Sequence, residues 1–272
     1  MTKRPNSLRH LDNNLRRKCE TVDDYLRART IMASAIVAGM LPSGVVKGGT
    51  AIKMRFGDVD TRFTTDLDTA SAASPTQYAE ELSEALAAGW EGFTGQIVPK
   101  DAASPVGVPN EYVMQPYDVK LSYLGKPWCT VPLEVGHNEI GDADNIEWAE
   151  QTVAAKYFAE LGLPSPGKAP LMPLTFQIAQ KIHAVSGEGD RARDMIDLQL
   201  IVANSQIDLS EVQEICVRLF AYRNKQAWPT EVKKQRGWET IYAEQASGLA
   251  VLQNVDDAIS WTNALIQEIA DA

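Results

Sequence analysis

Apolar positions recur at helical spacing across residues 22–41. Leu26, Ala33, Val37 and Met40 share one face, with Tyr25, Met32 and Ile36 beside it, and Leu41-Pro42-Ser43-Gly44 stops the pattern. A more polar helix is expected before it, over residues 8–20. Val45-Val46 reads as a short buried strand running into Gly48-Gly49. Ser74-Pro75-Thr76-Gln77 has the form of a helix start. Ser74 is placed to cap, Pro75 suits the first helical position and Gln77 would complete a capping box. Tyr78, Leu82, Ala85 and Leu86 then give one packed face, and Gly89 ends the helix. A strand is expected over 93–98 and a loop over 99–110.

The pattern then changes to a period of two. Tyr117, Val119, Leu121 and Tyr123 alternate with Asp118, Lys120 and Ser122. Gly125-Lys126 is the expected two-residue turn. In the return arm Cys129, Val131, Leu133 and Val135 form one face, and Trp128, Thr130, Pro132 and Glu134 the other. A helix is expected around Lys156, Tyr157 and Phe158, and Pro164 to Pro170 reads as a linker. From Pro173 onward the pattern is helical. It shows a Leu174, Ile178, Ile182, Val185 stripe and a capping box from Ser210 to Gln213, ahead of Val212, Ile215, Cys216, Leu219 and Phe220. A last helix from about Val255 carries Ala258, Trp261, Leu265 and Ile269. The expected organisation is therefore an α/β domain over 1–168, with a small mixed β-sheet flanked by helices, and a helical domain over 169–272.

Composition narrows the class. An apolar fraction of 44% in 272 residues supports a sizeable core. The longest apolar run, Ile31 to Leu41, is interrupted by Ser34 and Gly39 and is too short to cross a bilayer. The first residues contain no apolar core of a secretory signal. Cys19, Cys129 and Cys216 are scattered, so neither a disulfide framework nor a zinc site is indicated, and a reducing cytoplasm is the expected setting. A net charge of −10 argues against general nucleic-acid coating but leaves room for a local basic footprint. Two runs qualify, Lys3 to Lys18 and Arg218 to Arg236. The second interleaves Tyr222, Trp228 and Trp238, which suit base stacking or a helical core equally well.

The chemistry concentrates between residues 44 and 68. Gly48 and Gly49 lack a Cβ, so backbone N–H groups can approach a bulky anion, and Thr50 follows at the start of an expected helix whose dipole favours phosphate. Asp66 and Asp68 lie on one face of a strand, which suits Mg²⁺ beside a triphosphate. Glu134, opposite the apolar face of its strand, is a third carboxylate candidate. Lys53 and Arg55 are candidate phosphate contacts. His137 and His183 have no metal partner at recognisable spacing and read as ordinary polar residues.

Lys47-Gly48-Gly49-Thr50-Ala51-Ile52, Arg55, Gly57, Arg62, Thr64 and Asp66-Leu67-Asp68 together resemble the AbiEii branch of the nucleotidyltransferase superfamily, which includes MenT-type toxins. Lys181-Ile182-His183-Ala184 and Arg193-Asp194-Met195-Ile196-Asp197-Leu198 resemble it a second time, as does the late Trp238 to Tyr242 segment. The resemblance implies a nucleotidyltransferase fold, with Mg²⁺ or Mn²⁺ held by Asp66, Asp68 and Glu134. It implies an NTP gripped by Gly48, Gly49 and Thr50, Lys181 near its phosphates, and Asp194 in the active site, with Asp197 capping or bracing its helix. It further implies a toxin that adds nucleotides to the 3′ end of tRNA, and a separately encoded antitoxin. Nucleotidylation of a protein or small molecule, and nucleotide binding without catalysis, remain as alternatives.

Overall fold

The computed structural model describes residues 3–57, 61–103 and 113–272. Most of the expected 99–110 loop lies outside the described residues. The chain divides into two compact units. One comprises Met1–Gly57, Phe63–Asn138 and Ala143–Leu171; the other comprises Asp58–Arg62, Glu139–Asp142 and Met172–Ala272.

The first unit begins with α1 (Leu8–Arg16) and α2 (Val22–Gly39). The first helix is shorter than the pattern suggested, ending at Arg16, and Thr21 and Asp24 form a reciprocal capping box that starts the second. β1 (Val45–Lys47), α3 (Gly48–Phe56), β2 (Leu67–Ser71), α4 (Pro75–Ala88), β3 (Phe93–Pro99), β4 (Gln115–Tyr123), β5 (Lys126–His137), β6 (Glu147–Glu150), α5 (Thr152–Glu160) and β7 (Lys168–Leu171) follow. The sheet has seven strands in the order β3-β4-β5-β2-β1-β7-β6. In α4, Ser74 caps the Gln77 N–H, but the Gln77 side chain donates to Glu81, so the capping box is only half made.

Three details depart from expectation. Lys168–Leu171, which begins inside the expected Pro164–Pro170 linker, is a strand that pairs in parallel with β1 and antiparallel with β6. Its Ala169 and Leu171 are fully buried, and that burial outweighs the turn-forming character of the neighbouring prolines. The β4–β5 turn is Leu124-Gly125, one residue earlier than expected. Both have positive φ (47° and 74°), as a primed hairpin turn requires. A register shift next to Leu121 and Ser122 turns Trp128 inward, so it packs against Phe93 in the core instead of facing out with Glu134. Leu67, Leu133 and Val135 fill the core from the sheet, and Met32, Ile36 and Val37 from α2.

The second unit holds α6 (Leu174–Val185), α7 (Arg193–Asn204), α8 (Leu209–Arg223), α9 (Trp238–Ala246) and α10 (Val255–Ala270). Non-helical segments separate them, so the region is less continuously helical than the sequence suggested. Asp208, not Ser210, caps α8: its carboxylate accepts from the Ser210 and Glu211 N–H groups. Among the described residues no helix is long and apolar enough to cross a membrane.

Candidate active site

The first group of site residues is built across three strands. In β1, β2 and β5, Lys47 pairs with Asp68 and Asp68 pairs with Glu134. Directly opposed residues share a sheet face, so these three side chains stand in one row on neighbouring strands. Thr50 Oγ1 donates to the Asp66 carbonyl at 2.6 Å and ties the start of α3 to the strand entry. Thr64 Oγ1 donates to Asp66 Oδ1 at 2.9 Å. Gly48 has φ +68°, and a Cβ there would lie 2.5 Å from Asp68 Oδ2. The Asp68 carboxylate therefore lies directly over the glycine, in space that any side chain would fill. No side chain caps α3, whose Ncap is Lys47. Its first N–H groups thus suit an anion.

Lys53 and Arg55 are engaged elsewhere in the same unit. Lys53 Nζ donates to the Thr64 carbonyl at 3.4 Å and lies 4.6 Å from the Phe63 ring centroid, and Arg55 pairs with Glu147 at 2.6 Å. Three carboxylates are hard oxygen donors of the kind Mg²⁺ takes, and the register makes two of them neighbours. As placed, they do not gather into a three-ligand cluster among the described residues. The fit therefore lies in donor chemistry and strand register, and binding would have to draw the side chains inward.

The second group belongs to the other unit. Lys181 Nζ donates to Asp194 Oδ1 at 2.9 Å and to Asp197 Oδ2 at 2.5 Å. Arg62 grips Asp197 with two hydrogen bonds of 2.9 Å, a bidentate pair. Burial alone would pull the Lys181 amine down. Asp194 and Asp197 overcome that despite opposition from Arg62, and the net direction is up. Burial would likewise push Asp197 up, but Lys181 and Arg62 hold it below the usual carboxylate range. Asp197 is thus the brace of this group. Asp194 Oδ2 is buried without a hydrogen-bond partner, whereas the Lys181 amine is already satisfied by two carboxylates. A phosphate contact from Lys181 would have to compete with those ion pairs.

The sequence matches the family described as nucleotidyl transferase AbiEii toxin, type IV TA system, over residues 31–262. The chain belongs to the AbiEii family. It is a nucleotidyl transfer enzyme and a toxin of the type IV toxin–antitoxin class, which implies a separate antitoxin. MenT4, a nucleotidyltransferase toxin from Mycobacterium tuberculosis, is similar in structure with a TM-score of 0.53 and 15% identity over 97% of this chain and 98% of that one. JHP933 from Helicobacter pylori aligns over 88% of this chain and 89% of its own, at 14% identity and a TM-score of 0.46. No curated protein matches the sequence.

Within this AbiEii chain the register adds a residue that the spacing argument passed over. Lys47 shares the carboxylate row, and its Nζ lies 3.0 Å from where a Cβ of Gly136 would stand. Gly136 leaves room for the amine. The lysine preceding the two glycines was the available signal, but only the strand pairing shows which way it points. Three cations of the C-terminal basic run are matched by acidic residues. Arg223 pairs with Glu139, Lys233 with Glu231, and Lys234 with Glu239 and Asp256. Trp238 is fully buried and Trp228 packs edge-on to Phe220, so the two tryptophans pack with the helices, whereas Tyr222 is exposed. His183 is also buried. Its ring packs edge-on to Phe220, Arg223 Nη1 donates to Nδ1, and burial together with Arg223 lowers its pKa to about 4.

Proposed function

We propose that this AbiEii enzyme transfers a nucleoside monophosphate from an NTP to the 3′ end of tRNA in the cytoplasm, with Mg²⁺ or Mn²⁺ as cofactor, and so blocks aminoacylation and translation. The observation that carries the reading is the cross-strand row of Lys47, Asp68 and Glu134 beside the uncapped start of α3. It places cationic and N–H groups next to carboxylates, the pairing that phosphoryl chemistry requires. Gly49 and Thr50 would take the β- and γ-phosphates through backbone N–H groups, with the Lys47 amine nearby. Asp66, Asp68 and Glu134 would hold Mg²⁺, which when bound lowers the pKa of the attacking hydroxyl and shields the triphosphate. Lys181 and Asp194 are assigned to transfer on their motif.

The test is transfer of label from each α-³²P-NTP into total tRNA and into total protein, with Asp68→Ala alongside. Label on tRNA that disappears in Asp68→Ala supports the reading and names the nucleotide. Label on protein moves the assignment to protein nucleotidylation. Full activity in Asp68→Ala overturns the carboxylate site.

A further inference from the structure

A cavity of about 320 Å³ lies within the first unit, between α2 and the entry to the sheet. Leu26, Arg29 and Thr30 line it from the helix, Thr65 from the segment before β2, and Thr130 and Pro132 from β5. Its origin is a divergence of strands. Leu67 and Leu133 are the first paired residues of β2 and β5, and the chain segments before that pair part company. The cavity thus begins one residue before Asp66, and Pro132 is two residues before Glu134 on the same face of β5.

Beside it stands an aromatic that the core does not use. Phe63 is 39% exposed, with the Arg27 guanidinium 4.9 Å and the Lys53 amine 4.6 Å from its ring centroid. Phe63 is two residues before Thr65, roughly 7 Å along an extended chain, and Arg27 adjoins Leu26 on α2. An exposed aromatic paired with arginine is a platform on which an unpaired base stacks, and it tolerates any base identity. Inside the cavity, Arg29 donates to the Trp128 carbonyl, and its Nε is buried without a hydrogen-bond partner.

We propose that this cavity receives the terminal 3′ nucleoside of a single-stranded RNA acceptor, with the preceding base stacked against Phe63 and Arg27. The inference rests on the RNA-acceptor reading above and gives it a location. Two arguments favour acceptor over incoming nucleotide. In an in-line displacement, the attacking and leaving oxygens lie on opposite sides of the phosphorus. The phosphate-binding groups sit at β1 and α3, the carboxylates on β2 and its neighbour β5, and the cavity lies beside the Cys129–Pro132 part of β5, before that strand pairs with β2 and on the side away from β1. The walls also suit a nucleoside: Leu26 and Pro132 offer apolar surface to a base, Thr30 and Thr130 offer hydroxyls to a sugar, and Arg27 and Arg29 supply charge of the sign a phosphate backbone needs.

The test uses the full chain, a 5′-fluorescein single-stranded RNA 8-mer with a free 3′-hydroxyl, and two substitutions. Phe63→Ala removes the stacking surface. Thr130→Trp fills the cavity from an exposed strand position. Phe63→Ala is expected to raise KM for the RNA about tenfold, with KM for the NTP unchanged. Thr130→Trp is expected to abolish saturable RNA binding while NTP binding persists. Circular dichroism checks each variant, and Phe63→Leu, which keeps the apolar bulk and loses the π-face, replaces Phe63→Ala if that variant is misfolded. If wild-type enzyme labels RNA and these substitutions leave KM for RNA unchanged, or raise KM for the NTP instead, the acceptor pocket is refuted and the RNA reading stands. If wild-type enzyme labels total tRNA but not the 8-mer, the single-stranded acceptor pocket is refuted and the RNA reading stands; if it labels neither, both fall together.

Discussion

Gly48→Ala separates the site from the fold. The new Cβ would begin 2.5 Å from Asp68 Oδ2 and 3.4 Å from its Cγ. Carbon needs about 3.5 Å from a neighbouring heavy atom, so the carboxylate must move by roughly 1 Å. The obstructed group is the end of a side chain and can turn aside, so the clash itself adds little to the folding cost. The backbone adds more: φ of +68° with a Cβ costs roughly 1–2 kcal/mol. For a chain of this size, that lowers the melting temperature by about 2–8 °C. A catalytic carboxylate displaced by 1 Å is worth about 100-fold in rate. The assay is single-turnover transfer of labelled nucleotide beside a thermal melt. The expected result is a cooperative melt only a few degrees lower, with activity reduced by about two orders of magnitude. Activity within threefold of wild type would refute the placement of Asp68 over Gly48 as functional. Loss of the cooperative melt would instead show that this glycine serves the fold.

Other outcomes follow from the packing. Gly44 has φ +83°, and a Cβ there would lie 2.1 Å from the Ala70 carbonyl oxygen, a backbone atom that cannot turn aside. Gly44→Ala should therefore destabilise by about 3 kcal/mol or more, measured as a fall in the urea midpoint. Asp197→Asn leaves Lys181 and Arg62 short of a buried counter-charge and should cost about 3–5 kcal/mol. Because its native pKa is lowered, Asp197 stabilises the fold above the ordinary carboxylate range, and that contribution should fade as pH falls through the lowered value. The wild-type acid limb should flatten in the variant. His183 is held neutral down to about pH 4 while its unfolded form takes a proton near 6.5, so stability should decline from pH 6.5 towards 4. Urea titrations of His183→Asn should lack that part of the slope.

Much of the architecture was legible in the sequence, because its signals are local. The apolar period of α2, the Ser74 and Pro75 helix start and the alternation of β4 each follow from near-neighbour constraints. Gly48, Gly49, Thr50 and the Asp66–Asp68 pair were visible as candidates for the same reason, since a glycine turn and two carboxylates need only short spacing. β7 was hidden because its strand character comes from burial between β1 and β6, partners distant in sequence. Trp128 was misassigned because a bulge shifts the alternation by one.

Non-local pairing also decided what surrounds the carboxylates. Only the β1–β2–β5 register aligns Lys47 with Asp68 and Glu134. Only tertiary packing shows that Lys181 is shared by Asp194 and Asp197, with Arg62 as a second partner of Asp197. The C-terminal cations looked like an RNA footprint in one dimension. In three dimensions acidic residues far along the chain meet several of them, Glu139 for Arg223 and Asp256 for Lys234. The sequence by itself determined the chemical groups and their order. The tertiary structure decided which of them face one another, because strand register and ion pairing depend on residues that chain order keeps apart.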